Sequence, residues 1–302
     1  MAAIYALAFV AALLALSSLP ACTYPEYAFV PDPSGDGGSR DTRLDESTSD
    51  VADSAPSAID ATDAIDAIDA GDCAILTGGD ARTSIPFFGT KAQVVDGVGD
   101  EFCDIRATKL VASAGALMTP SPAPSGIDTV VWTRIAWSPV ALHIHVRVDQ
   151  ASVFAPTATE DIWDGDSIEL FVSGAATLTG AYPSTSDPGT FQIIAAPPGA
   201  TAARARISGS VTYLDPAHFA GRLTATGYEL ELRIDWADLE TTPASGKHIG
   251  FDIGVDVRQT SGSARKIQSF FGYNPVAGST SCGATTAHPS CDDRTWCTPA
   301  LD

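Results

Sequence analysis

Apolar and polar residues alternate along most of the chain from about residue 93 onward. In residues 141–149, the apolar side chains of Leu142, Ile144, Val146 and Val148 are separated by polar ones. A period of two is typical of a strand that turns one face towards a core. Similar runs occupy residues 167–173, 190–196, 203–214, 227–236 and 248–259. Each run is therefore predicted to form a strand.

Turn-forming residues lie between these runs. Clusters of Gly, Pro, Asp and Ser, such as residues 181–189, separate the predicted strands, and only short stretches such as residues 236–239 have a helical pattern. Many short strands at this spacing favour an all-β fold. We predict an antiparallel β-sandwich of immunoglobulin-like or jelly-roll-like type over residues 85–302.

The N-terminus has the pattern of an export signal. Residues 2–16 are uncharged and apolar, a length that suits the core of a signal peptide better than a membrane span of about 20 residues. The run ends in Leu-Pro-Ala-Cys at residues 19–22, which resembles a bacterial lipobox. We predict a signal peptide at residues 1–21 and a lipid on Cys22, with plain secretion as the alternative. The lipid would anchor the protein to a bacterial membrane, at the cell surface or in the periplasm.

Residues 22–84 are predicted to form a disordered acidic linker. They are rich in Asp, Ala, Ser, Gly and Pro, and such a composition buries too little apolar surface to fold. An Asp repeats every third residue from Asp60 to Asp72. A calcium loop needs a fixed glycine turn and converging carboxylates, so a self-repelling spacer is the better interpretation of this repeat.

The charge of the chain argues against a nucleic-acid partner. The formal net charge is -20, and only 17 Lys and Arg residues are spread through 302 residues. A surface that follows phosphates needs clustered basic side chains. Residues 23–80 hold 14 of the 37 acidic side chains, so the excess of negative charge belongs largely to the linker.

The six cysteines agree with export, because disulfides form in oxidising compartments. With the first cysteine assigned to lipid, five remain, and their spacings match no zinc motif. Cys282 and Cys291 are expected to close a short disulfide loop. Cys297 is expected to reach back to Cys103 or Cys73.

Four segments, in order, resemble the family 9 carbohydrate-binding modules. They are VDGVGDEF at residues 95–102, WSPVALHI at residues 137–144, WDGDSIELF at residues 163–171, and GYELELRIDW through IGFD at residues 227–252. Each motif alone is weak, but their common order and spacing are specific. The sequence is therefore identified as containing a CBM9-like domain.

This resemblance implies two packed antiparallel sheets and a sugar site framed by aromatic rings. By position, Trp163 matches a ring that stacks on the sugar, and Glu169 matches a carboxylate that binds sugar hydroxyl groups. Gln192 stands where characterised members have a sugar-contacting arginine. The second ring of the site falls in a cysteine-bearing insert near the C-terminus, where Tyr273 and Trp296 are the candidates.

The residue types agree with sugar binding on their own chemistry. An aromatic ring offers a flat apolar face, and charged or amide groups bind hydroxyl groups. Trp163 ends a polar loop just before a predicted strand, in which Glu169 alternates with Ile168 and Leu170. Glu169 can therefore share a face with the Trp163 ring. The alternative is that Trp163 covers the sandwich edge and Glu169 is a surface charge.

Other aromatic and polar residues are assigned structural roles. Trp137 and Trp236 adjoin strongly alternating strands and are predicted to pack in the core or at its edge. His143 and His145 share a strand face and could bind a metal, but no third ligand accompanies them and an exposed polar face explains them equally well.

No cofactor is predicted. The family resemblance allows structural calcium at the acidic loop between Asp149 and Asp166, although solvated loop charges are the simpler interpretation.

Catalysis is not predicted either. The sequence has no GxSxG, no HExxH and no phosphate-binding glycine loop. Glu229 and Glu231 share a strand face, but two residues apart they lie side by side rather than across a cleft. We therefore predict a non-catalytic protein whose partners are a carbohydrate and, through its lipid, a membrane.

Two other functions stay open at this point. One is a structural or adhesion module without a small ligand. The other is a haem-binding electron-transfer domain on a similar sandwich, for which Met118 is the only methionine beyond the initiator that could serve as an axial ligand.

Overall fold

The computed structural model describes residues 74–90, 93–115, 117–119, 123–158, 160–176, 189–208, 214–259, 267–271, 293 and 296–302. All of them belong to one compact unit, Ala67–Asp302. Within these ranges, no helix combines the length and the apolar character that a membrane span requires.

The regular elements are almost all strands, as the alternating pattern predicts. In chain order they are β1 Ser84–Ile85, β2 Thr108–Val111, β3 Leu117–Thr119, β4 Val130–Trp137, β5 Ala141–Asp149, β6 Ser167–Ser173, β7 Thr190–Ala196, β8 Arg204–Ile207, β9 Phe219–Thr224, β10 Gly227–Asp235, β11 Gly250–Val257, β12 Ile267–Phe270 and β13 Ala300–Leu301. Two single-turn 3₁₀ helices, Asp100–Phe102 and Ala112–Ala114, flank β2.

These strands form two antiparallel sheets. The five-stranded sheet has the order β2-β4-β5-β10-β9, and the six-stranded sheet has the order β3-β12-β11-β6-β7-β8. The short strands β1 and β13 pair in parallel beside them. The predicted antiparallel β-sandwich is thereby confirmed.

Alternate side chains of the two sheets meet in one core. Val146 and Leu230 come from the five-stranded sheet, and Leu170 and Ile253 come from the six-stranded sheet. All four are almost completely buried. Burying a side chain of this size stabilises the fold by about 1.5–3 kcal/mol, so the alternating pattern has a direct energetic role.

Both of the tryptophans that were predicted to pack lie in this core. The indole N–H of Trp236 donates to the carbonyl of Ser138 at 2.7 Å, and the indole N–H of Trp137 donates to the carbonyl of Asp302 at 3.0 Å. Both rings are buried, so their predicted packing role is confirmed.

Part of the outer face of the five-stranded sheet is buried. His143 and His145 are only 3% and 1% exposed. Phe88 stacks on the His143 ring at a centroid distance of 5.0 Å, and Phe102 lies 5.7 Å from the His145 ring. The expectation of an exposed polar face is therefore wrong for these histidines, because the segment before β2 covers them.

Glu231 fixes this covering segment to the sheet. Its Oε2 accepts the backbone N–H groups of Asp96 and Gly97 at 2.9 and 2.8 Å. Gly97 has a φ of 86°, and a Cβ there would lie 3.1 Å from the backbone of Gly221. The VDG motif and the second glutamate of β10 thus act together as a structural clamp.

The packed domain begins before residue 85. The backbone N–H of Ala107 donates to the carbonyl of Leu76 at 2.6 Å, and Ala81 is buried in the main core. Residues 74–84, which the sequence analysis places in the linker, therefore pack against the sandwich. The rest of the predicted linker and the signal peptide lie outside the described residues.

Cys103 and Cys297 are both disulfide-bonded, and the described part of the chain has no free cysteine. The predicted Cys282–Cys291 loop, Cys73 and the lipidation site Cys22 lie outside the described residues. The individual pairings stay predictions.

Candidate functional site

Glu169 occupies the middle of β6, on the face of the six-stranded sheet that points away from the core. Its partners in register are Ile194 in β7 and Gly254 in β11. The amide of Gln192 donates to Glu169 Oε2 at 3.2 Å, and the amide of Gln268 donates to Oε1 at 3.0 Å. Two amides from two different strands therefore hold the carboxyl group in place.

Gln192 has hydrogen-bonding capacity left after this contact. Its side chain is completely buried, and its Oε1 has no hydrogen-bond partner. A buried acceptor in this state costs about 1–3 kcal/mol. The Gln192 carbonyl oxygen is thus suited to accept a hydrogen bond from a hydroxyl group that enters beside Glu169.

Further polar side chains share this outer face, to which we refer as the polar floor. It consists of Ser167, Glu169, Gln192, Asp252, Asp256 and Gln268, all of them buried. The hydroxyl of Ser167 donates to Asp256 Oδ2 at 2.9 Å, which joins β6 to β11. Six buried polar side chains in one group are unusual, because Asp, Glu and Gln are mostly exposed in folded proteins.

Trp163 lies at one side of the polar floor. Its ring is half-buried and packs against the cluster of Ile162, Ile194 and Ala196. Because Ile194 pairs directly with Glu169, the ring packs on the residue that neighbours Glu169 across the sheet.

The loop that carries Trp163 is fixed by Asp166. Its Oδ1 accepts the backbone N–H of Arg258 at 2.7 Å, and its Oδ2 accepts the Gln150 amide at 2.7 Å and the backbone N–H of Phe154. Burial raises the pKa of this carboxyl group, while these hydrogen bonds oppose the shift. Asp166, the second Asp of the WDGDSIELF motif, therefore has a structural role, since it holds the loop that carries the Trp163 ring.

Trp296 lies at another side of the polar floor. Its ring is buried, 5.4 Å from the ring of Phe171, which in turn lies 5.7 Å from Phe270. Phe270 covers Gly254, where a Cβ would lie 2.6 Å from the Phe270 ring. The structure thus brings the second predicted ring to the same face as Glu169. Tyr273 lies outside the described residues.

The sequence of residues 95–278 matches the family model described as carbohydrate family 9 binding domain-like. The chain belongs to this family. The resemblance inferred from the four motifs is thereby confirmed. The CBM9-like domain covers the main strands of both sheets, including every described residue of the polar floor.

Two solved structures of a family 9 carbohydrate-binding module from Caldicellulosiruptor kristjanssonii resemble this domain. The complex with cellotriose has a TM-score of 0.52 and covers 73% of this chain and 94% of its own. The complex with glucose has a TM-score of 0.51 and covers 73% of this chain and 96% of its own. The identity is 16% in both cases, so the likeness establishes the fold. A search of curated proteins gave no match.

The opposite outer face of the CBM9-like domain holds the two glutamates that were weighed as a catalytic pair. Glu229 Oε2 accepts hydrogen bonds from the Arg222 guanidinium at 2.8 and 3.0 Å. Glu231 is clamped to the Asp96–Gly97 backbone, and burial raises its pKa to about 8. Both side chains therefore have structural partners on the five-stranded sheet.

The two histidines of that face are held in their neutral form. Burial is the main cause that lowers the pKa of His145 to about 3, and the nearby arginines contribute to the same shift. Burial also lowers the pKa of His143 to about 4, and its ring nitrogens contact Gln93 and Ser138 at 2.7 and 2.8 Å. Among the residues that the structure describes, no group of three or more His, Cys, Asp or Glu side chains is arranged to hold a metal ion.

Three residues of the site region were missed in the sequence analysis. Gln268 and Phe270 come from β12, whose four-residue pattern was too short to be recognised as a strand. Arg206 lies in β8, and its Cζ is 5.4 Å from the centroid of the Trp163 ring. The alternation of RARI in β8 could have indicated that Arg206 and Arg204 share a face.

Proposed function

We propose that this protein binds carbohydrate on the outer face of the six-stranded sheet, without catalysis and without a cofactor. The observation that carries the proposal is the position of Glu169. Its carboxyl group is held by the amides of Gln192 and Gln268, with the rings of Trp163 and Trp296 on two sides of the polar floor. Membership of the CBM9-like family supports the same conclusion.

Each residue of the proposed site has a role that its chemistry supports. The Trp163 ring stacks on the C–H face of a sugar. Glu169 accepts hydrogen bonds from hydroxyl groups, and the free acceptor of Gln192 takes another. Trp296, or Tyr273 beyond the described residues, supplies the second ring.

The ligand that we propose is a neutral glucan oligosaccharide. The two similar modules from Caldicellulosiruptor kristjanssonii hold cellotriose and glucose. Residues 81–302 also carry a net negative charge, with more acidic than basic side chains, which disfavours an acidic glycan because like charges repel.

Binding at this site requires the polar floor to open. Glu169 and Gln192 are completely buried, and the Phe270 ring lies over Gly254, the register partner of Glu169 in β11. A sugar reaches the carboxyl group only when side chains above it move. We therefore expect the association rate constant to be lower than that of a preformed open site.

We further propose that the mature protein is exported and anchored by a lipid on Cys22, with the acidic segment as a spacer that holds the domain away from the membrane. The apolar N-terminal run, the lipobox-like residues 19–22 and the concentration of acidic residues in 23–80 support this part of the proposal.

A structural or adhesion module without a small ligand is the second candidate. It is favoured by one specific observation, the complete burial of Glu169, Gln192 and Trp296. In that case the hydrogen bonds from Gln192 and Gln268 to Glu169 would serve only to hold strands of the six-stranded sheet together.

A glycan screen on the full mature chain separates the two candidates. The chain is applied to an array that includes cello-oligosaccharides, xylo-oligosaccharides and uronate-containing glycans, and to insoluble cellulose in pull-down assays. We expect selective retention by a neutral glucan that free oligosaccharide competes away. Absence of retention on every glycan, from a chain that melts cooperatively, would favour the structural module instead.

A further inference from the structure

The guanidinium of Arg206 lies against the ring of the proposed sugar site. Its Cζ is 5.4 Å from the centroid of Trp163. Arg206 pairs with Ile194, and Ile194 pairs with Glu169 on its other side, so the three side chains form one row across β8, β7 and β6. Arg206 is therefore positioned on the same face as the polar floor.

The N–H donors of the Arg206 guanidinium make few close polar contacts with the described residues. Its ion-pair partner among the described residues is Asp161, at a long distance of 3.8 Å, and the Asp161 side chain is 54% exposed. Its Nε is buried and has no hydrogen-bond partner. An arginine carries five N–H donors, and a buried donor without an acceptor is unfavourable.

Arg204, two residues earlier on the same strand face, gives a contrast. Its Nη2 donates to the carbonyl of Thr157 at 2.6 Å, so part of its fork is bound to the loop before β6. The Arg206 guanidinium instead lies over an aromatic ring. A guanidinium over a ring face is attracted by the ring and still has N–H donors for a neighbouring acceptor.

We propose that Arg206 is a specificity-determining residue that donates hydrogen bonds to two adjacent hydroxyl oxygens of a neutral sugar stacked at Trp163. This inference rests on the proposed function and adds a donor from β8 to a site in which the two polar groups proposed to bind the sugar, Glu169 and Gln192, come from β6 and β7. The guanidinium fork matches a pair of neighbouring oxygen acceptors. The nearby carboxyl groups of Glu169 and Asp161 disfavour a sugar that carries its own carboxylate.

The test measures the affinity of the full mature chain for cellotriose by titration calorimetry. Arg206→Met keeps the aliphatic length and removes the donors, and Arg206→Lys keeps the charge and removes the fork. Since hydrogen bonds to charged groups contribute about 1.5–3 kcal/mol, Arg206→Met should weaken binding by about 10- to 100-fold. Arg206→Lys should give a smaller loss, and the melting temperature of both variants should stay close to that of the unchanged protein.

Arg233→Met is the matched control. Arg233 is a partly exposed arginine on the five-stranded sheet, and its Nε donates to Asp235 Oδ1 at 2.8 Å. This variant should bind cellotriose with unchanged affinity. Affinity for cellotriose should also be nearly the same at about 0.02 M and about 0.5 M salt, because a neutral ligand is not screened.

Three outcomes would overturn the inference. If Trp163→Ala abolishes cellotriose binding and Arg206→Met does not weaken it, Arg206 is no part of the site, while the proposed function stands. If the chain prefers a uronate-containing oligosaccharide with an affinity that falls as salt increases, the assignment of a neutral sugar is wrong. If the unchanged chain binds no sugar, the proposed function fails and this inference fails with it.

Discussion

Replacing Glu231 by Gln should change how the stability of the fold depends on pH. Glu231 is clamped to the backbone N–H groups of Asp96 and Gly97, and burial raises its pKa to about 8 from a usual value near 4.5. The folded state therefore retains a proton on this carboxyl group that the unfolded state loses between about pH 4.5 and pH 8. By linkage, the contribution of Glu231 is fully present below pH 4.5 and is lost as pH rises through 8.

The magnitude follows from this pKa difference. Each pH unit inside the window corresponds to at most about 1.4 kcal/mol. Between pH 5 and pH 8 the full shift would remove about 4 kcal/mol, and relaxation of the protein around the charged carboxylate reduces this to about 2–4 kcal/mol. Glu231→Gln keeps a carbonyl oxygen for the Asp96 and Gly97 N–H groups and cannot titrate. The free energy of unfolding of this variant should therefore lack the pH dependence that Glu231 contributes.

The assay is urea unfolding of both proteins at pH 5, 6.5 and 8. His143 and His145 have pKa values lowered to about 4 and about 3. Their contribution to the free energy of unfolding changes in the opposite direction, because it is lost as pH falls below about 6.5. The two proteins share this background, so the difference between their free energies of unfolding isolates Glu231. The unchanged protein should lose about 2–4 kcal/mol relative to Glu231→Gln between pH 5 and pH 8. Parallel pH profiles would refute the raised pKa of Glu231 in the folded state.

Three further predictions concern the clamp, the anchor and the disulfides. Gly97→Ala should lower the free energy of unfolding by about 2–4 kcal/mol, because its Cβ would meet the backbone of Gly221 at 3.1 Å. Gly246→Ala is the control, since Gly246 has a similar φ of 79° and nothing within 4 Å of an added Cβ, and it should cost only about 1 kcal/mol. Equal losses in urea unfolding would contradict the close contact at Gly97. Full-length protein expressed in a bacterial host should partition into the detergent phase, and Cys22→Ala should release it into the aqueous phase; an aqueous unchanged protein would exclude the lipid. Peptide mapping of the exported protein should find Cys282 bonded to Cys291, and free thiols at both positions would contradict the predicted loop.

The strands that were predictable from the sequence are those with one apolar face in the core. Residues 167–173 and 190–196 were predicted as strands and form β6 and β7 with the same bounds. Their alternation reflects a real difference in environment, because Leu170 and Ile193 face the core while Glu169 and Gln192 face outward. Residues 203–214 were predicted as one strand, but β8 ends at Ile207.

The burial of the polar faces could not be predicted from alternation. A period of two identifies which side chains share a face, but it gives no information about what covers that face. His145 and Glu169 have the pattern of solvent-facing residues, and both are buried. For His145 the cover is a segment fixed by the clamp between Gly97 and Glu231, two positions 134 residues apart in sequence.

The candidate site was predictable in part, and for a related reason. The family motifs identified Trp163, Glu169 and Gln192, and the structure places all three on one face. Gln268 and Arg206 belong to short strands without a family motif, and their roles depend on contacts across the sheet. Such contacts follow from register, which the sequence alone did not establish.

We claim that the Trp163 ring is a binding residue rather than a packing residue. Its matched control is Trp132, a half-buried indole on the five-stranded sheet that also lies beneath a cation, with Lys109 Nζ 5.0 Å from its ring. The decisive measurement is the affinity of the mature chain and of the Trp163→Ala and Trp132→Ala variants for cellotriose, with the melting temperature of each. We predict that Trp163→Ala weakens binding by about 2 kcal/mol or more, roughly thirtyfold, with little change in melting temperature, and that Trp132→Ala binds normally. A Trp163→Ala variant that melts at a much lower temperature yet binds cellotriose with unchanged affinity would contradict the claim.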